Sequence, residues 1–294
     1  MYALLLPCGT WFDRFEKHWE SPEGQKLLAS FLVVFFIVAV GVIELNRRAF
    51  LPAPFDQIFS RTHLAAIEQA FNLLLALEVV GLILSLVHSV SKSVGKQFEI
   101  LSLILLRGTF KKLSHFSEPL VWEQVEAAMV PIIVSAVSAL AIFVIIGFFY
   151  KMQRSHPLKM PAEEREKFIL AKKMIALLLL VSFLGLGVYD LWAYFALGHP
   201  ENVFEMFYTL LIFSDVLIVL ISLRYSAHYL VAFRNSGFAV ATVLIRLALI
   251  APITIGALLG VGTALFALGI TIAYNVFVPV LCKECALTEG RIIR

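Results

Sequence analysis

Residues 127–150 read AAMVPIIVSAVSALAIFVIIGFFY, twenty-four positions without a charge. At about 1.5 Å per residue, a helix of that length crosses the roughly 30 Å hydrocarbon core of a bilayer. Lipid offers the backbone no hydrogen-bond partners, so such a run must pair its own N–H and C=O groups as a helix. Comparable runs lie at 27–46, 65–90, 173–197, 204–232 and 255–281. Two shorter ones, 97–113 and 237–253, are bounded by Lys96 and Lys111, and by Arg234 and Pro252. These two either span with local thinning and snorkelling of their flanks, or are re-entrant. Counting both gives eight spans. The expected fold class is an all-α polytopic transmembrane bundle.

Composition agrees. The chain has 294 residues, of which 60% are hydrophobic and 15% charged, with mean hydropathy +0.89. Soluble domains are nearer 45–50% apolar and about 25% charged. Three cysteines exclude a disulfide framework, and a net charge of +3 gives no reason to expect nucleic acid. Nothing matches a P-loop, a nucleophile elbow, a paired-carboxylate hydrolase site or a zincin motif, and the longest polar stretch, about 151–172, is too short for a catalytic domain. No enzymatic activity and no cofactor are expected.

Loop charge sets orientation. If the N-terminus is cytoplasmic, sixteen Lys and Arg lie on that side against five on the other; Arg107, Arg224 and Arg246 fall inside spans. Both termini are therefore expected in the cytoplasm. Met1–Pro7 lacks a basic n-region and an adequate apolar core, so it does not read as a cleavable signal. Residues 10–19 place Trp11, Phe12, Phe15 and Trp19 on one helical face, the pattern of a helix lying in the interface. Ser21-Pro22 reads as N-cap and first residue of the first span. The expected organisation is an interfacial segment at 1–26, four-helix units at 27–150 and 173–281, a basic linker at 151–172 and a tail at 282–294.

The two units look like copies. Gly41-Val42-Ile43-Glu44-Leu45 aligns with Gly187-Val188-Tyr189-Asp190-Leu191 at an offset of 146. Phe71 through Ser89 aligns with Tyr208 through Ser226 at 137, pairing Glu78 with Asp215. Ile104-Leu105-Leu106-Arg107 aligns with Val243-Leu244-Ile245-Arg246 at 139, and Tyr150 with Tyr274 at 124. Aliphatic agreement alone is weak, whereas two acids and one arginine in corresponding spans are specific. Four spans per unit is an even number, so the copies share one orientation, related by an axis along the membrane normal.

Charges within a bilayer are costly and mark functional candidates. Counted from the cytoplasmic ends at about 1.5 Å per residue, Glu44, Glu78 and Arg107 lie roughly 25, 18 and 15 Å up their spans. Asp190, Asp215 and Arg246 repeat the arrangement. Two acids against one arginine leave a negative excess, which favours a bound cation or a proton on one carboxyl. The competing reading is an ion network that only fixes helix register. Ser85 and Ser89 continue the face of Glu78, and Ser222 and Ser226 that of Asp215, either as a polar path or as close-packing positions.

Other signals are weaker. Cys282-Lys-Glu-Cys285 supplies two ligands where a closed zinc site needs four, and Cys8 adds at most a third, so no metal is expected. His88 and His228 near span ends are conceivable haem ligands, but no histidine repeats between the halves. Gly256-xxx-Gly260 favours close helix contact between the two units.

An acid late in the first span, an acid mid-way along the second and an arginine in the third resemble the phosphate-starvation-inducible E family of four-helix membrane proteins. The residues bearing the resemblance are Glu44, Glu78 and Arg107, then Asp190, Asp215 and Arg246. It covers 27–150 and 173–281 as two copies and implies a bacterial inner membrane. It supplies no biochemical activity. The function expected from the residues is a channel-like or transport module for protons or small ions. The alternative is a non-transporting membrane subunit, sensor or scaffold. Expected partners are the lipid bilayer and, in that second reading, another membrane protein or a second copy.

Overall fold

The structure is a computed structural model describing residues 2–48, 50, 62–113, 116, 122–153, 162–197, 203–224 and 229–292. Among these residues all regular structure is α-helical. The helices are α1 (Tyr2–Trp19), α2 (Pro22–Arg47), α3 (Leu64–Ser85), α4 (Val90–Leu113), α5 (Trp122–Met152), α6 (Ala162–Leu197), α7 (Val203–Arg224), α8 (Tyr229–Ile250) and α9 (Ile253–Ile292). Six contain stretches long and apolar enough to cross a membrane: α2, α3, α5, α6, α8 and α9. The chain is a membrane protein by this measure.

Local chemistry explains several boundaries. Ser21 caps α2, its Oγ accepting from the Gly24 N–H at 2.9 Å, with Pro22 at the first helical position. α6 opens after Pro161 and runs unbroken for 36 residues. α4 and α8 are likewise single continuous helices, so neither folds back as a re-entrant loop. They begin at Val90 and Tyr229, earlier than apolarity alone suggests, because their first turns carry polar groups such as Lys92, Lys96, Gln97, Arg234 and Asn235. The preceding helices are correspondingly shorter than expected. α3 stops at Ser85 rather than 90, and α7 at Arg224 rather than 232. At its other end, α9 continues beyond 281 to Ile292.

Two apolar cores result. One gathers Val94, Phe98 and Leu101 of α4, Ile142 and Phe149 of α5, Phe238 and Ile245 of α8, and Ala264 and Ala267 of α9. Alanines at 139, 241, 248, 257, 264 and 267 line it and let the helix axes approach. The other joins Val79 and Ile83 of α3, Ala176 and Leu179 of α6, and Phe207 and Leu211 of α7. Phe12 of α1 is buried in this second core, so α1 docks on the bundle as well as presenting Trp11 outward. The Trp11, Phe15 and Trp19 rings follow one another along α1 with centroids 5.7 and 5.8 Å apart. α2 stands at the periphery against α3 and α1, its apolar side chains facing outward.

The glycines of α9 serve two different contacts. A Cβ on Gly260 would lie 3.1–3.2 Å from Ile142 and Leu101, side chains of α5 and α4, so this contact joins the two halves of the chain. A Cβ on Gly256 would lie 2.3 Å from the Ala248 carbonyl oxygen, so that glycine closes the α8–α9 corner within one half. Gly256→Ala therefore collides with backbone that cannot step aside. It should cost about 1–3 kcal/mol, as overpacking of a tight site does. Thermal unfolding of the detergent-solubilised protein checks this, with Gly262→Ala, whose added Cβ meets open space, as the variant expected to melt like wild type.

Candidate functional site

α7 and α8 are neighbours, and Asp215 in the middle of α7 meets Arg246 near the end of α8. Arg246 Nε lies 3.5 Å from Asp215 Oδ2, and the two side chains are 0% and 4% exposed. The separation is that of an ion pair rather than a close hydrogen bond. Arg246 Nη2 donates to Gln97 Oε1 at 3.2 Å, and Gln97 Nε2 donates to Ser93 Oγ at 3.3 Å. Gln97 and Ser93 are on α4, so a first-half helix completes the second-half pair. Asp215 Oδ2 and Arg246 Nε and Nη1 are buried without a protein hydrogen-bond partner. Buried polar groups in this condition are uncommon and call for a specific account.

Beside the pair is a cavity of about 30 Å³ lined by Ser93, Gln97, Lys172, Asp215 and Thr242 among apolar neighbours such as Phe238. One water needs roughly 10–15 Å³ measured this way, so the space takes one or two water-sized bodies. An organic ligand is excluded by size, since such sites run to about 300 Å³ or more. At the α1 end of the cavity Lys172, 4% exposed, donates from Nζ to the His88 carbonyl oxygen at 2.6 Å and lies over the Phe168 ring at 4.8 Å. The His88 ring faces Glu16 of α1, Nδ1 to Oε1 3.6 Å, and Lys173 reaches Asp13 of α1 at 2.7 Å. Burial holds the Glu16 carboxyl above its ordinary range, with the His88 side chain opposing that shift. The adjacent lysines thus divide their roles: Lys173 pins α1, and Lys172 turns inward.

In the first half Arg107 pairs with Glu78. Their side chains are 32% and 12% exposed, so this pair is the less enclosed of the two. Glu44 does not join it. Its carboxylate takes Arg48 at 2.7 Å, one turn on in sequence, and His63 at 3.1 Å. A partner one turn away on a more exposed surface avoids the desolvation that a third buried charge would bring. Asp190 is half-buried on α6 and is not in the Asp215–Arg246 pair. In the first half the expected triad is therefore a one-to-one Glu78–Arg107 pair, with Glu44 held elsewhere.

The serine stripe also differs. Ser85 is the last residue of α3 and donates to the Leu82 carbonyl at 2.7 Å. Ser89 lies beyond the helix in the turn leading to α4, where its carbonyl accepts the Ser93 N–H at 2.8 Å. The chain turns at 86–89, so the two hydroxyls do not continue one helical face. Ser226 and His228, and the side chains of Ser222, Cys8, Cys282 and Cys285, lie outside the described residues. No three His, Cys, Asp or Glu side chains converge among the described residues.

Ser93, Gln97, Lys172 and Thr242 were not singled out by sequence. Thr242 stands four residues before Arg246, on the same face of α8, and Gln97 is a polar residue opening an apolar run; those were the available signals. Comparison of the chain with family models, curated proteins and solved structures finds no match.

Removing one partner of a buried ion pair leaves the other charge stranded, which costs about 3–5 kcal/mol, whereas replacing both with apolar groups is often neutral. Arg246→Met should accordingly lower the unfolding temperature sharply, and Asp215→Leu with Arg246→Met should recover much of the loss. Arg107→Met should cost less, since both members of its pair retain contact with the surroundings. Thermal melts of the four purified proteins check the order.

Proposed function

We propose that the chain is a membrane transport module for protons or other small ions, with Asp215 as its proton-accepting group. The observation that carries this is a carboxylate, buried among helices, that lines a mostly apolar cavity of water size together with Ser93, Gln97, Lys172 and Thr242. An ionisable side chain in a bilayer is costly to keep and commonly belongs to an ion path. A purely structural pair would be served by a dry, close fit. Here the pair is loose at 3.5 Å, Asp215 Oδ2 and Arg246 Nε and Nη1 lack a close hydrogen bond, and the neighbouring space is large enough for water. A water in that space could donate to the Asp215 carboxylate, which is the member of the pair that lines it.

Lys172, the His88 turn and Glu16 lead from the cavity to the α1 face, giving the site an approach from that side. In this reading the α1 face is cytoplasmic, as the loop charge argues. All eight long helices α2–α9 cross the bilayer, α4 and α7 included. They form two four-helix units in parallel orientation, each contributing one acid–arginine pair. The matching helix contacts support this arrangement: α3 on α4 and α7 on α8, α4 on α5 and α8 on α9. The likeness to the phosphate-starvation-inducible E family and the inner-membrane location belong to the same proposal.

Reconstitution into liposomes containing a pH-sensitive dye tests it. Wild type should dissipate an imposed pH gradient, and Asp215→Asn, purified in equal yield and with a similar melting temperature, should fall to the rate of empty liposomes. Glu78→Gln should retain flux. Absence of flux in wild type, or undiminished flux in folded Asp215→Asn, overturns the reading and leaves the pair as a tie between helices.

A further inference from the structure

The charge balance of the cavity wall points past the proton. Asp215 is neutralised by Arg246. Lys172 lines the same space, is as buried as Asp215, and meets only a backbone carbonyl and an aromatic ring. Among the described residues no carboxylate pairs with it. Its neighbours Ser93, Gln97 and Thr242 carry no charge. Counting ionised groups, the wall and its immediate support hold Lys172 and Arg246 against Asp215, an excess of one positive charge. A buried cation is normally paired, because the carbonyl and ring it has here recover only part of its lost hydration. Rings or single positions of Lys and Arg serve as anion sites in membrane pores for the same reason.

From this we infer that the cavity is a seat for one small monovalent anion of halide size, held by Lys172 Nζ and by the Ser93 hydroxyl. Geometry assigns the donors. Thr242 Oγ1 already donates to the Ala239 carbonyl at 2.8 Å, so its proton is spent. Ser93 Oγ accepts from Gln97, which leaves its own proton free to donate into the cavity. The volume admits a bare ion and excludes anything with a carbon frame.

The inference rests on the transport reading for its meaning and deepens it by naming the co-ion. Asp215 shares the cavity wall, so an ionised carboxylate opposes the anion and a proton on it removes that opposition. The charged group paired with Asp215 is Arg246 from α8; Lys172 from α6 shares the cavity wall with it, Tyr208 on its own helix faces Arg246, and α4 presents Ser93 and Gln97. Of these, Asp215 is the one whose protonation turns the balance toward the anion. One anion and one proton entering together add no net charge to the site.

Calorimetric titration of the full-length protein in detergent tests the seat, with sodium chloride as titrant in sodium gluconate buffer and thiocyanate as a second probe. Saturable chloride binding is expected, with uptake of about one proton per ion by pH indicator. Lys172→Met should weaken binding about tenfold or more, Lys172→Arg should retain it, and Ser93→Ala should weaken it while the protein stays folded, with a modest drop in melting temperature from the stranded Gln97 amide. Ser93→Ala and Lys172→Arg keep the test decisive if Lys172→Met fails to fold. No chloride heat in wild type, or binding unchanged in Ser93→Ala and Lys172→Met, overturns the anion seat; binding without proton uptake overturns its coupling to Asp215. Proton flux that depends on Asp215 and persists with gluconate on both sides, alongside absent chloride binding, removes the anion and leaves the proton reading standing. Chloride binding with no flux in any salt keeps the seat and removes transport.

Discussion

The Asp215–Arg246 pair is the contact on which the arrangement turns. Asp215 is on a helix of the α3/α6/α7 core and Arg246 on a helix of the α4/α5/α8/α9 core, so the pair stitches the two apolar clusters together. In lipid the hydrophobic effect does not drive helices against each other, and packing plus a few polar ties must do so. A charge so enclosed cannot be solvated in any other register. Gln97 adds a third helix, because a guanidinium has more donors than one carboxylate can take.

That constraint also explains the difference between the halves. Glu78–Arg107 has the same chemical form and stays partly exposed, while Asp215–Arg246 is sealed. α6 is held to the 86–89 turn and to α1 through Lys172 and Lys173, whereas α2 is tied to the start of α3 through Glu44 and His63. The second half is consequently wrapped by first-half elements: α1 and the 86–89 turn at one end, and α4 alongside. The cavity beside Asp215 is therefore lined from both halves. Ser93 and Gln97, which belong to the first half, line the cavity beside the second half's acid.

The helical membrane class was legible from runs such as 127–150, since lipid leaves a backbone few alternatives. The α2 N-cap at Ser21-Pro22 was legible because capping needs only adjacent residues. Helix ends at Ser85 and Arg224 were not, because apolar residues continue beyond them and the turn at 86–89 is held by Lys172, more than eighty residues away. Acid–arginine partners were suggested by depth along each span. Depth says nothing about azimuth, and so the sequence alone could not separate Glu78, which faces Arg107, from Glu44, which faces Arg48 and His63. Lys172 was hidden in a basic linker pattern, where a lysine ordinarily reads as a topology signal.

What the sequence by itself determined is the environment and the inventory: an all-helical membrane chain with a handful of charges placed where charge is expensive. Those follow from composition and period, which are local properties of the chain. Tertiary structure decided which charges meet. It set Glu44 beside Arg48 and His63, brought Asp215 to Arg246 and turned Lys172 inward. The sign of a buried site depends on which side chains share its few ångströms of low-dielectric space. Only the packing of helices distant in sequence sets that.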